Sequence, residues 1–165
     1  MYYPDLSHYS YGFDTKFNVV NIGWLSNKYT FNTEGILSQL FINNLEKIIS
    51  LGLHNHMRGS HECEFCETDH IHKKLKYNDT EIWLGNGEIW IPDIKQQRIF
   101  SSPSLLWHYI IDHNYIPPID FIESCEQFDF NSNWTPKTII SIEYNKMMPK
   151  SNIQIVDGPI YYVIS

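Results

Sequence analysis

Residues 81–92 read EIWLGNGEIWIP, two apolar runs on either side of Asn86-Gly87. An Asn-Gly pair in that position is a hairpin signal, because a type I′ turn needs positive φ at both central residues. A two-residue loop pairs Gly85 with Glu88, Leu84 with Ile89, Trp83 with Trp90 and Ile82 with Ile91. Side chains alternate along a strand. The reading therefore puts Trp83 and Trp90 on one face and Ile82, Leu84, Ile89 and Ile91 on the other. Both faces are apolar, so the hairpin is predicted to be covered on both sides. Two tryptophans on one face also suit base stacking, but no basic groove accompanies them.

Upstream, FNVVNIGWL (17–25) reads as a strand ending in Gly23 and Trp24. A helix is predicted over 34–50. Ile36, Leu37, Leu40, Phe41, Leu45, Ile48 and Ile49 follow the spacing of one buried face. Asn32 or Thr33 would cap it, and Gly52 follows its end. Residues 53–79 are polar, rich in His, Cys and Glu, and without periodicity, so they read as a loop. Downstream, a short strand near Arg98–Ser101 precedes a second helix with Ser102 as N-cap and Pro103 at N1, running to about His113. Tyr115-Ile116-Pro117-Pro118 breaks it, and Pro118 starts a third short helix with Phe121, Ile122 and Cys125 on its inner side. Cys125 has no Cys or His nearby and reads as a buried small hydrophobe. Lys137–Asn145 and Asn152–Ser165 are β-branched and aromatic, which predicts two or three further strands. The fold class is α+β: a small antiparallel sheet with a Trp-rich hairpin, two or three helices, and a zinc site joining a Cys loop to a helix. Residues 1–126 form the core and 127–165 a C-terminal β extension packed on the same domain.

The 165 residues suit one ordinary domain. An apolar fraction of 42% with 15% aromatics excludes a disordered chain. No run of eighteen apolar residues exists, so no transmembrane helix is expected. The segment MYYPDLSHYSYGF lacks a basic stretch followed by an apolar one, so no secretory signal is expected. Three cysteines, two of them in Cys63-x-x-Cys66, fit metal or redox use in a reducing cytoplasm better than a disulfide framework. A net charge of -7 weighs against grip on phosphate backbones. The one basic cluster is HKKLK, residues 72–76. An acidic surface suits a basic protein partner, or solubility alone.

RGSHECEFC, residues 58–66, holds a histidine and two cysteines within six residues. Zinc takes Cys thiolates and His nitrogens, usually four in a tetrahedron. Cys63-x-x-Cys66 lets one tight turn present two sulfurs. The remaining pair on a predicted helix is His108 and His113. Five residues span ~140° around an ideal helix, so the last turn must loosen, and the Tyr115-Ile116-Pro117-Pro118 break gives it reason to. The spacing lies within the range of Cys₂His₂ sites. His61 is the alternative ligand, or sits behind one with its ring on a carboxylate. His54, His56, His70 and His72 read as solvated surface histidines. A thioredoxin-like redox role for Cys63 and Cys66 is disfavoured by Glu62, Glu64 and Glu67, which oppose a free thiolate. A bound dication reverses that disadvantage.

PDLSHYSY, NIGWL, RGSHECEFC, EIW and IFSSPSLLWHYIIDHNYIPPIDFI occur in an order that resembles a family of small bacterial proteins of unknown function. Its pattern runs PDL-x-x-Y-x-Y, N-x-GWL, RG-x-H-x-C-x-x-C, a strand with EI, and HY-x-x-x-H-x-Y-x-PP-x-x-F. The likeness spans about residues 3–125. It matches at His61, Cys63, Cys66, His108, Tyr109, His113, Tyr115, Pro117, Pro118 and Phe121, and implies a shared fold and metal site.

Four protein ligands leave no position for water or substrate, which is the mark of a structural site. The sequence therefore points to a cytoplasmic binding protein, of immunity or antitoxin type, with a protein partner and neither a membrane nor nucleic acid. The first alternative is a zinc hydrolase or deaminase with three ligands plus water and Glu62, Glu64 or Glu67 as base. The signatures H-x-E…P-C-x-x-C and H-E-x-x-H are both absent. The second alternative, a nucleic-acid-binding zinc module, lacks a basic recognition helix.

Overall fold

The computed structural model describes residues 1–11, 17–66, 72–93, 95–132 and 134–137. The elements run β1 (Val19–Asn21), α1 (Gln39–Ser50), β2 (Lys74–Tyr77), β3 (Thr80–Trp83), β4 (Glu88–Asp93), β5 (Arg98–Pro103), α2 (Leu106–His113) and α3 (Ile119–Glu126). This is an α+β fold. A three-stranded sheet has the order β1-β5-β4, and a separate two-stranded ribbon joins β2 and β3. β1 runs parallel to β5, so the larger sheet is mixed.

The hairpin expected across Asn86-Gly87 does not form. β3 pairs with β2, in register Tyr77 with Thr80 and Lys74 with Trp83. Its turn is Asn78-Asp79, with Asn78 at φ 51. Asn tolerates that left-handed region better than most residues. β4 pairs instead with β5, Asp93 opposite Arg98. There the Asp93 carboxylate accepts the backbone N–H groups of Lys95 and Gln96 and pins the turn. Residues 84–88 therefore pass from one sheet to the other. Neighbours take up their backbone groups: His61 N–H on Gly85 O, Met57 N–H on Asn86 O, Ser104 N–H on Gly87 O, and a reciprocal bridge between His54 and Glu88. Trp83 and Trp90 are thereby separated. Trp83 is 49% exposed on the ribbon, with Lys74 Nζ 4.1 Å from its ring. Trp90 is buried.

Other boundaries differ as well. The first strand is confined to three residues. The first helix begins at Gln39, capped by Ser38, whose hydroxyl accepts the Phe41 N–H. Ile36 and Leu40 lie outside the buried face, which comprises Phe41, Leu45, Ile48 and Ile49. The stretch 53–79 contains β2. Ser102 and Pro103 belong to β5, whose pairing with β4 outweighs their capping preference, and α2 starts at Leu106. The third helix follows Pro118 as expected, with Phe121 and Cys125 buried. The strands expected over Lys137–Asn145 and Asn152–Ser165 lie, apart from Lys137, outside the described residues. Among the described residues no helix is long and apolar enough to cross a membrane.

One face of the larger sheet presents Val20, Ile89, Ile91 and Phe100 to α1 and α3, where Phe121 stacks edgewise on both Phe41 and Phe100. The other face carries Val19 and Trp90 beneath Tyr9 of the N-terminal segment. That segment turns at Leu6, which has φ 62. The turn sends Asp5 inward, where its carboxylate accepts the Gly23 N–H and the Tyr115 hydroxyl, each at 2.8 Å. This latch ties the chain's start to the segment after α2, which carries the functional cluster.

Candidate metal centre

The tight turn at 63–66 directs two sulfurs to one side. The backbone N–H groups of Phe65 and Cys66 point at the Cys63 sulfur. Facing them is α2, with His108 buried on its inner side near the start and His113 as its last residue. One ligand atom from each of Cys63, Cys66, His108 and His113 lies within 4.8 Å of all the others. His113 Nε2 is 3.2 Å from Cys63 Sγ, 3.5 Å from Cys66 Sγ and 3.2 Å from His108 Nε2. Cys66 Sγ is 3.4 Å from His108 Nε2. No second group of this kind occurs among the described residues.

The loosened last turn is present at the C-terminal end of α2. Asn114 sits at φ 54 in the left-handed region and donates its N–H to the Tyr109 carbonyl, five residues back. Tyr115 N–H reaches the same carbonyl at 3.0 Å. A five-residue bond widens the turn beyond α-helical pitch, which draws His113 round toward His108. The loosening arises at Asn114 and Tyr115, where the Tyr115-Ile116-Pro117-Pro118 break begins.

Asp112 completes the arrangement. Its Oδ2 accepts from His108 Nδ1 at 2.5 Å. That places the ring proton on Nδ1 and leaves the Nε2 lone pair facing the sulfurs. Burial lowers the pKa of His108, against the pull of Asp112, and burial lowers that of His113 too. Both imidazoles are therefore held in the neutral, ligating form. Burial raises the Cys63 thiol, and neighbouring Cys66 adds to the rise. A metal ion would supply the missing counter-charge. Phe65 closes the outer side, 5.4 Å from the His113 ring and 5.8 Å from Tyr109.

His61 is not in the group. It is exposed, with its ring 6.5 Å from Tyr11. Glu64 turns away, its Oε2 accepting from Ser26 Oγ and Asn27 N–H. Glu62 is exposed, and Glu67 lies outside the described residues. His56 and His72 are exposed as expected, and His70 lies outside the described residues. His54 departs from the surface reading. It is partly buried, and burial pushes its pKa down to about 4.

A second polar cluster was not foreseen. Glu88, 1% exposed, accepts four hydrogen bonds: Tyr9 Oη at 3.0 Å and Asn55 Nδ2 at 2.5 Å on Oε1, Trp90 Nε1 at 2.7 Å and Ser101 Oγ at 2.6 Å on Oε2. Burial raises its pKa against the combined pull of these donors. A lone glutamate in an apolar strand has no spacing signature. Asp112, four residues after His108, did have one, since i and i+4 share a helix face.

Over residues 1–126 the chain matches the family described as Domain of unknown function (DUF7919). No curated protein and no solved structure gives a match.

Proposed function

Since the chain belongs to this family of unknown function, we propose its role from the site itself: a small bacterial, cytoplasmic binding protein whose fold is pinned by a structural zinc. The observation that carries the reading is the closeness of four ligand atoms, two sulfurs and two imidazole nitrogens. In a zinc tetrahedron, Zn–S of ~2.3 Å and Zn–N of ~2.0–2.1 Å give S···N edges near ~3.5 Å and an N···N edge near ~3.3 Å. Three S···N separations of 3.2–3.5 Å and the N···N separation of 3.2 Å fit that frame. Four protein donors saturate the ion, so its work is cohesion: it fastens the 63–66 loop to α2. With the ion closed to water, the molecule acts through its surface. The acidic surface suits a basic protein partner, as in an immunity- or antitoxin-like protein that masks it.

Elemental analysis of the purified protein, beside Cys63→Ser and His113→Ala variants, tests the metal. One zinc per chain, lost with unfolding in both variants, is expected. A folded His113→Ala protein that keeps its zinc would overturn the closed site and favour three ligands plus water. A pull-down from the native host tests the binding role, with a stoichiometric partner expected. Recovery of the protein alone would count against it.

A further inference from the structure

The β2–β3 ribbon is separate from the larger sheet, and neither strand has another strand beside it among the described residues. Leu84 donates its N–H to the Lys73 carbonyl, which fixes the alternation of backbone groups. Ile82 and Thr80 therefore face β2, while the N–H and C=O of Glu81 and Trp83 point away from it. On β2 the outward groups are those of Lys74 and Lys76. Among the described residues no backbone group takes up those of Glu81 and Trp83. Thr80, Glu81 and Trp83 are exposed, so the β3 edge is open to solvent. Such an edge is a template for another strand. The side chains of Lys74, Lys76, Glu81 and Trp83 share the outer face of the ribbon. Lys74 Nζ donates to the Glu81 carboxylate at 2.8 Å and lies 4.1 Å from the Trp83 ring. A half-exposed indole thus stands at the open edge, flanked by one acid and one base.

The two edges of the ribbon differ in what they admit. Two copies meeting through β2 would set Lys74 of each against Lys76 of the other, and lysine is a common guard of a strand edge. Through β3, a two-fold axis between the two copies of Ile82 sets Glu81 of each opposite Trp83 of the other. The outward N–H and C=O groups then exchange four hydrogen bonds. The two indoles become diagonal neighbours on one face, about 7–8 Å apart and within reach of each other. Each Glu81 lies beside the indole and lysine of the other copy. The chain as a whole carries -7, but residues 72–83 hold three lysines against Asp79 and Glu81. Two copies therefore meet the least repulsion at this ribbon. We propose that β3 pairs edge to edge with β3 of a second copy, in a two-fold dimer whose sheet runs β2-β3-β3-β2. This goes beyond the partner-masking role and does not depend on the metal.

The experiment is sedimentation equilibrium of the purified full chain from micromolar to millimolar concentration, with zinc content measured in parallel. An interface this small belongs to the weak class, so a reversible dimer with Kd on the order of 10–100 µM is expected. Isotope-filtered NOEs in a mixture of labelled and unlabelled chains should connect Glu81 to Trp83. Trp83→Glu removes the indole and sets like charges opposite each other, so association should weaken about tenfold or more. Glu81→Pro deletes an outward N–H, leaves the bonds to β2 intact and should weaken association likewise. The double variant Glu81→Lys with Trp83→Glu sets opposite charges face to face and should regain part of the loss. Monomer mass at millimolar concentration, a dimer that either single variant leaves unchanged, or intermolecular NOEs elsewhere would overturn the proposal. So would a double variant that associates no more tightly than Trp83→Glu. Should Glu81→Pro fail to fold, Trp83→Glu and the double variant decide.

Discussion

At the scale of single residues, two carboxylates carry weight beside the four ligands. Asp112 holds His108 in one tautomer. Asp112→Asn should therefore weaken zinc binding by about 10- to 100-fold while the fold persists. Competition with a chromophoric chelator measures this, and an unchanged affinity would remove Asp112 from the site. Glu88 is more exacting. Trp90 Nε1 on one oxygen is a donor that cannot reverse, while Asn55 Nδ2 serves both the other oxygen and the Tyr9 hydroxyl. Glu88→Gln can keep its carbonyl on Trp90 only by turning its N–H₂ toward Asn55 and Tyr9, which forces the Asn55 amide to flip and gives up its bond to Tyr9. The variant should lose about 1–3 kcal/mol or more of stability, read from urea denaturation. A neutral result would show that the carboxylate is not what the four donors require. The role of Asp112 had a signal in its i, i+4 spacing from His108, and that of Glu88 had none. Cys63, Cys66, His108 and His113 could be grouped because each pair has a short spacing that one turn can present. A solitary acid has no such spacing.

At the scale of elements, the segment through Gly85 explains why the clearest turn signal misled. Gly85 has φ 95, and a Cβ there would lie 2.3 Å from the His61 carbonyl oxygen. The glycine answers to that close approach, not to a reversal of the chain. Gly85→Ala should cost several kcal/mol, about the range for strain joined to a backbone clash, and should displace the 61–66 loop. Thermal denaturation and zinc content together report it; a stable, zinc-replete variant would contradict the packing. Asn-Gly is permissive for a turn, but pairing is a competition among strands. Here β2 reaches β3 through a two-residue loop, and β5 lies ready for β4. KLKY, with only Leu75 buried, gave no strong apolar alternation to announce that rival. The helices were more legible because their periodic faces are long. Their starts were not, since caps such as Ser38 compete with equally eligible neighbours upstream.

At the scale of the whole molecule, one core joins every element, and protons act on it as a unit. His54 is held neutral, its pKa depressed from 6.5 to about 4. A histidine with a lowered folded pKa contributes stability that is full above pH 6.5 and lost as the pH falls toward 4. The loss from this group is at most about 3 kcal/mol. His54→Gln should flatten the stability profile between those limits, and equal slopes for the two proteins would refute the assignment. Zinc ligands demand deprotonation as well, so the profile should be compared at matched metal content. The α+β character was readable from composition and periodicity. The division into two sheets was not, because it depends on which distant segments meet.

The two halves of the metal group stand 42–50 residues apart in the chain. A ribosome adds roughly 5–20 residues per second, so the thiol pair emerges some seconds, roughly 3–10 at that pace, before His113. During that interval a nascent chain has the two sulfurs of the group but not both of its imidazoles. The full set of four donors is complete only once the second helix has been made, late in synthesis.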